Sequence, residues 1–307
     1  MTSRLLDQLK KGELPHAVLV AGPAGSGRAL LARRAAALYC LGSDDVTRLA
    51  SCPNYRELAG DAVKIADVRA LMATAAVKSF NELHRAFVIT DAHLLDTRTQ
   101  NALLKVLEEP PADTMLFLTG NEAGLLPTIR SRCIVERLGA LPLDEVTRAL
   151  VAEGVDASSA RICTAASDGV IGLARYYASD VGRVFRAEAI RLLDAALFSL
   201  SPFADVAALL LEDAAKDGKK KKGDPAKARM LFTIWEGVLR DALSARYGGK
   251  LLNADAEGVS KRIAQRFTDA RIEGMIERIA IARRRLSVRA SVALTVDTLL
   301  AQMSLKE

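Results

Sequence analysis

No run of about 18 apolar residues occurs anywhere in the 307 residues, which excludes a helix able to span a bilayer. Residues 1–7, Met-Thr-Ser-Arg-Leu-Leu-Asp, lack the long apolar segment of a signal peptide, so a cytoplasmic location and no membrane partner are expected. Cysteine is sparse. Cys40, Cys52, Cys133 and Cys163 are widely spaced and form no Cys-x-x-Cys pair, which argues against a disulfide framework and a zinc ribbon. They read as small buried residues. Histidine is scarcer still, and His84 and His93, each beside a strand, read as packed or surface residues rather than ligands or bases. No internal repeat stands out. Against these absences, half of the residues are hydrophobic, enough at this length for two or three compact domains. A net charge of +6 opens nucleic acid as a partner through phosphate neutralisation, with a solvated basic surface as the plain alternative.

The first 140 or so residues alternate strand-like and helix-like segments, as in a mostly parallel sheet covered by helices. Strands are expected at 17–21, 86–90, 115–119 and 133–135, and helices at 29–39, 64–77 and 97–108, the last stopped by Glu109-Pro110-Pro111. Beyond Leu141-Pro142 the strand signals vanish. Residues 143–180 hold short amphipathic helices punctuated by Gly154, Gly169 and Gly172, and 181–307 are helical apart from the lysine-rich stretch at 216–225. Its lysine run at 219–222 is either a solvated connection or a nucleic-acid contact.

A glycine frame stands here without the residues that make such a frame work. Residues 22–29 read Gly-Pro-Ala-Gly-Ser-Gly-Arg-Ala, between the strand at 17–21 and the helix that follows. In a working phosphate-binding loop, Gly-x-x-x-x-Gly-Lys-(Ser/Thr), the glycines turn backbone N–H groups toward phosphate, the lysine reaches the β- and γ-phosphates, and the hydroxyl ligates Mg²⁺. Gly22, Gly25 and Gly27 keep the frame, but Arg28 replaces the lysine and Ala29 the hydroxyl. The strand at 86–90 ends in Asp91, where Mg²⁺ would be held, yet Ala92 and His93 follow where a water-orienting glutamate is needed. An arginine alone can still grip phosphate with its fork. Loss of all three groups argues against hydrolysis, because phosphoryl transfer depends on positioned charge and metal. A purely structural turn and weak residual nucleotide binding both stay open.

The second informative segment is Leu126-Pro127-Thr128-Ile129-Arg130-Ser131-Arg132-Cys133. Alone it is a basic turn, or an arginine displayed toward a neighbouring subunit's γ-phosphate. Taken with the loop at 22–29, Thr90-Asp91-Ala92 and the string Gln100-Asn101-Ala102-Leu103-Leu104-Lys105-Val106-Leu107-Glu108-Glu109-Pro110-Pro111, it closely resembles the bacterial clamp-loader branch of the AAA+ superfamily. Within that family the degraded loop is similar to that of the non-hydrolysing subunits rather than the ATP-hydrolysing gamma/tau subunits. The motif match covers roughly residues 15–140; the helical remainder agrees only in pattern and length.

The resemblance implies an α/β domain of AAA+ P-loop type at 1–141, a small helical lid at 142–180 and an all-α collar that holds subunits together at 181–307. It implies a subunit that binds no useful ATP, works beside gamma/tau and delta subunits, and helps load the sliding clamp onto primer–template DNA. Arg132 would act in trans as an arginine finger, with Ser131 and Cys133 holding its turn. Gly22, Gly25, Gly27, Arg28 and Asp91 would be vestigial nucleotide-site residues, and Thr119 or Asn121 would stand near a polar sensor position, if not a simple strand-end cap. Arg69, Lys78 and Arg98 are candidate DNA-phosphate contacts, each equally an ordinary solvated charge. Many relatives carry a four-cysteine zinc module, but 40–54 holds only Cys40 and Cys52, too few to close such a site, so no metal is expected. Two rivals stand: a motor subunit that still turns over ATP through Arg28, and a plain basic DNA-binding module.

Overall fold

A computed structural model describes residues 4–59, 63–76, 84–199, 203–210, 223–287 and 290–304. They group into two compact units, 1–140 with 170–172, and 141–169 with 173–307.

The first unit contains α1 (Arg4–Lys10), β1 (Ala17–Ala21), α2 (Arg28–Leu41), β2 (Tyr55–Ala59), α3 (Ile65–Ala76), β3 (Arg85–Thr90), α4 (Thr97–Glu108), β4 (Thr114–Gly120), α5 (Pro127–Arg130) and β5 (Ile134–Arg137). The five strands form one sheet in the order β2-β3-β4-β1-β5, and every pairing is parallel. Its register sets Val18 opposite both Phe117 and Ile134.

Strand periodicity divides the apolar side chains between two cores. Ala17, Leu19, Phe87, Ile89, Leu116 and Leu118 face α3 and α4, joined by Val68, Leu103 and Leu107. Val18, Val20, Ala86, Val88, Met115 and Phe117 face the other way, against Leu5 and Leu6 of α1 and Leu31, Ala32 and Ala35 of α2. β1, β3 and β4 are buried along their whole length, which is why apolar runs such as those at 86–89 and 115–118 fill their centres. Parallel strands deliver their carboxyl ends to one edge, where ligands of open α/β sheets bind. The turn 22–27, Asp91 and Asn121 all lie at that edge, after β1, β3 and β4.

The expected fold class holds, with three differences. Helix α1 was not anticipated; it is short, with Leu5 and Leu6 packed under the sheet. Strand β2 was also missed, because it is an edge strand whose Tyr-Arg-Glu-Leu-Ala sequence lacks an apolar run. Its Glu57 is tied to Arg33 of α2 at 2.7 Å. The last strand runs over Ile134–Arg137 instead of 133–135, so Cys133 belongs to the preceding turn. Lys78 and the lysine run at 219–222 lie outside the described residues.

The second unit is built from helices: α6 (Leu143–Ala152), α7 (Ala157–Ala166), α8 (Ile171–Ala178), α9 (Asp180–Phe198), α10 (Phe203–Leu210), α11 (Pro225–Arg246), α12 (Glu257–Arg266), α13 (Asp269–Ser287) and α14 (Val292–Ser304). Asp156, Ser179 and Asp224 accept backbone N–H bonds as N-caps, fixing where α7, α9 and α11 begin. Trp235 of α11 is fully buried and donates its indole N–H to Ala189 O of α9 at 2.8 Å, joining these helices through the middle of the unit.

A buried polar cluster lies nearby. Arg186 of α9 is 5% exposed. It donates to both carboxylate oxygens of Asp255, at 2.7 and 2.8 Å, and to Asn253 Oδ1 at 2.8 Å. Its guanidinium carbon stands 5.1 Å from the Tyr177 ring centroid. Asp241 of α11 accepts from Leu252 N, Asn253 N and Asn253 Nδ2, at 3.0, 2.6 and 2.9 Å. Among the described residues no helix is long and apolar enough to cross a membrane.

Candidate functional site

The loop after β1 has the shape of a phosphate cradle because glycine occupies its tight positions. A Cβ on Gly22 would lie 2.4 Å from Leu138 O, and Gly27 takes φ +90°, a left-handed conformation that side chains disfavour. Gly25 O accepts from Gly172 N at 2.9 Å. Helix α2 then starts at Arg28.

Arg28 does not point outward. It is buried at 8% exposure and donates Nη1 to Gly22 O and Nη2 to Asp91 Oδ1. The guanidinium thus bridges the loop's first glycine and the aspartate of the neighbouring strand's end, closing the cradle on itself. Asp91 is held from behind as well: its N–H donates to Thr119 Oγ1 at 3.0 Å. Thr119 is fully buried and positions the Asp91 backbone. Asn121 turns its side chain to Ala123 N at 3.1 Å and caps the short 3-10 turn Glu122–Gly124.

These residues do not suit a Mg²⁺–nucleotide. The carboxylate that would ligate metal already faces a cation, and no hydroxyl follows Arg28. Beside the loop a cavity of about 490 Å³ is lined by Pro23, Arg28, His93, Asn121, Glu122 and Arg137. Arg137 clamps Glu122 in a two-pronged bond, 2.6 and 2.9 Å, which holds the Glu122 carboxyl below its usual range. His93 packs under two glycines; a Cβ on Gly120 or Gly124 would come within 2.8 or 2.9 Å of it. Sequence reasoning missed His93, Glu122 and Arg137 as cavity residues; for His93 the pair Gly120 and Gly124 was a signal.

Arg132 sits at the other end of α4. The approach to its segment is held by a buried amide: Gln100, 4% exposed, donates Nε2 to Leu95 O and Gly124 O at 3.0 and 3.1 Å and accepts from Leu126 N at 2.9 Å. The buried Ile129 pins α5, and Arg132 N donates to Ile129 O at 3.1 Å. Ser131 Oγ donates to Thr128 O at 3.1 Å, tightening the turn. Cys133 packs against the sheet core, where burial pushes its thiol up to about 12. The side chain of Arg132 is 35% exposed; Nη1 donates to Thr128 O at 2.9 Å and Nη2 to Glu108 Oε1 at 2.6 Å. Glu108 as its partner was not anticipated.

Gln100 therefore ties the start of α4 to the 124–126 segment that leads into the Arg-Ser-Arg-Cys turn. Gln100→Ala strands three backbone groups and is expected to cost about 2–4 kcal/mol, read as a lower denaturation midpoint. An unchanged midpoint would refute this account.

The remaining sequence candidates are scattered. Arg69 in α3 and Arg98 in the first turn of α4 are both exposed. Cys40 donates to Asn54 O at 3.7 Å, and burial first, then the neighbouring Cys52, pushes its thiol up to about 12. Among the described residues no group of three or more His, Cys, Asp or Glu side chains could hold a metal ion.

Residues 1–142 match the family model described as DNA polymerase III, delta subunit. The chain is 31% identical over 160 residues to the DNA polymerase III subunit tau of Salmonella typhimurium, a match that covers 48% of this chain and 25% of that protein. It is 30% identical over 206 residues to the delta′ subunit of Escherichia coli, covering 64% of this chain and 56% of the relative. The delta′ subunit of Pseudomonas aeruginosa is 31% identical, with 46% and 50% covered. The chain thus spans about a quarter of the tau subunit's length and about half of each delta′ subunit's. A DNA polymerase III gamma-subunit-related protein of Thermotoga maritima, 15% identical, shares the fold with a TM-score of 0.50 over 98% of this chain and 99% of that one. The parallel sheet with its helical remainder is thus a fold shared with that protein, and residues 1–142 are similar in sequence to subunits of DNA polymerase III.

Proposed function

We propose that this chain is a non-hydrolysing, delta′-like subunit of a bacterial DNA polymerase III clamp loader, and that it helps load the sliding clamp onto primer–template DNA. The observation that carries this reading is Arg28 bonded to Gly22 O and Asp91: the phosphate position is filled by the chain's own cation. ATP would be bound by adjoining gamma/tau-type subunits, with a delta-type subunit also in the assembly. Arg132 would be its working group, acting in trans on ATP held next door, with Ser131 and Cys133 keeping its turn rigid. The helices of 142–180 would serve as a lid and those of 181–307 as the collar that joins subunits. Arg69 and Arg98 would contribute phosphate contacts to DNA inside the complex, at work in the cytoplasm.

Titration of the purified chain with ATP and Mg²⁺ in a calorimeter, paired with phosphate release, tests this directly. No binding heat at millimolar nucleotide and no turnover are expected. Mg²⁺-dependent turnover by the isolated chain would make it a motor and defeat the proposal.

A further inference from the structure

Glu108 is the last residue of α4, where a carboxylate faces the negative end of the helix dipole and contributes nothing to the helix that bears it. The backbone here is fixed, since Glu109 N is bonded to Lys105 O at 3.0 Å and Pro110-Pro111 follow at once. The carboxylate can therefore leave its partner only by turning its own exposed side chain. What Glu108 does touch is the guanidinium of Arg132, at 2.6 Å, across 24 residues of sequence. Lys105, the basic residue in the same last turn, is exposed.

Arg132 carries five N–H donors, and this arrangement commits one face of its fork to Thr128 O and Glu108. Ser131 Oγ stands 3.5 Å from Nη1. The guanidinium is thus located by the turn but electrically cancelled by the carboxylate. A finger stabilises phosphate through its positive charge, so a carboxylate in contact with it opposes that role while leaving the geometry intact.

We infer that Glu108 is a displaceable counter-ion for Arg132: it shields the guanidinium in the chain on its own and gives way to the more highly charged polyphosphate of a nucleotide held by an adjoining subunit. This rests on the finger role proposed above. The contact is half exposed, so its grip is modest and salt-sensitive, as a contact that must be exchanged requires. Glu108 is accordingly a positioning residue, acting only through Arg132.

Two measurements on Glu108→Gln test the inference, since glutamine keeps a hydrogen-bond acceptor and removes only the charge. In the purified full-length chain, labelling by an arginine-selective dicarbonyl, read by mass spectrometry, should speed up about two- to fivefold at Arg132. Arg137, paired with Glu122, is the internal reference and should not change. In the reconstituted complex the same variant should raise ATP turnover by a similar factor, and Glu108→Ala should also raise it. Unchanged labelling, unchanged turnover, or a fall in turnover with either variant would overturn the inference; a fall would mean that Glu108 aims the guanidinium instead of shielding it. Arg132→Ala is the control. Turnover indifferent to that change would sink the finger role, while labelling would still decide whether Glu108 covers Arg132.

Discussion

Arg132→Ala in a reconstituted complex is expected to lower ATP turnover at the adjoining nucleotide site by about 10³-fold or more, the range in which arginine fingers act. The expectation follows from placement. Arg132 is partly exposed, its turn is fixed by Ile129, Ser131 and Gln100, and its own chain's cradle has Arg28 paired with Asp91. The substitution should leave the fold almost untouched, because a surface ion pair such as Arg132–Glu108 contributes about 0–1 kcal/mol. Loss of turnover with an unshifted denaturation curve would therefore isolate the chemistry. Arg132→Lys should recover little, since an ammonium lacks the planar fork that spans two phosphate oxygens. Pre-steady-state phosphate release, in which loss of one site lowers the burst amplitude, is the appropriate reading. Turnover at every site equal to that of the parent would remove Arg132 from the mechanism.

The largest stability effect is expected at Arg186. Arg186→Ala leaves Asp255 and Asn253 without their common donor and removes a cation from the Tyr177 ring. Breaking a buried pair on one side costs about 3–5 kcal/mol, and the partial exposure of Asp255 sets the lower end of that range. Asp241 still holds Asn253 and the 252–253 backbone, so the damage should stay local to α9 and the 253–255 turn. Trp235 offers a probe in the same unit, packed against Ala189 three residues along α9, and its fluorescence should report an earlier urea midpoint. Arg186→Met, which fills the space but strands the same acceptors, should be only slightly better. A midpoint within error of the parent would show that the network contributes nothing net.

What could be read in the chain beforehand was whatever leaves a local trace. β1, β3 and β4 carry unbroken apolar stretches at their centres because both faces are covered, and α4 shows its end through Pro110. The glycine frame at 22–27 announced the loop. β2 left no such trace, because an edge strand keeps polar residues and its Glu57 is balanced by Arg33, a partner 24 positions away. The site divides in the same way. Residues with a motif, Arg28, Asp91 and Arg132, could be named; their companions could not. Arg28 meeting Asp91 spans 63 residues, and Arg132 meeting Glu108 spans 24, and nothing near either position signals the other. Gln100 was visible as a letter in a string, but its three backbone bonds depend on how α4 lies beside the 124–126 segment.

If the guanidinium lying across the cradle keeps nucleotide out, as proposed above, the chain would be insensitive to the cell's energy state. A loop that waits for ATP changes shape with the ratio of ATP to ADP, and so reports how much fuel is present. One that carries its own counter-charge has nothing for that ratio to act on. Starvation would then slow whatever stands beside this chain without altering the chain itself, and its influence would be set by how many copies are made and not by how well the cell is fed.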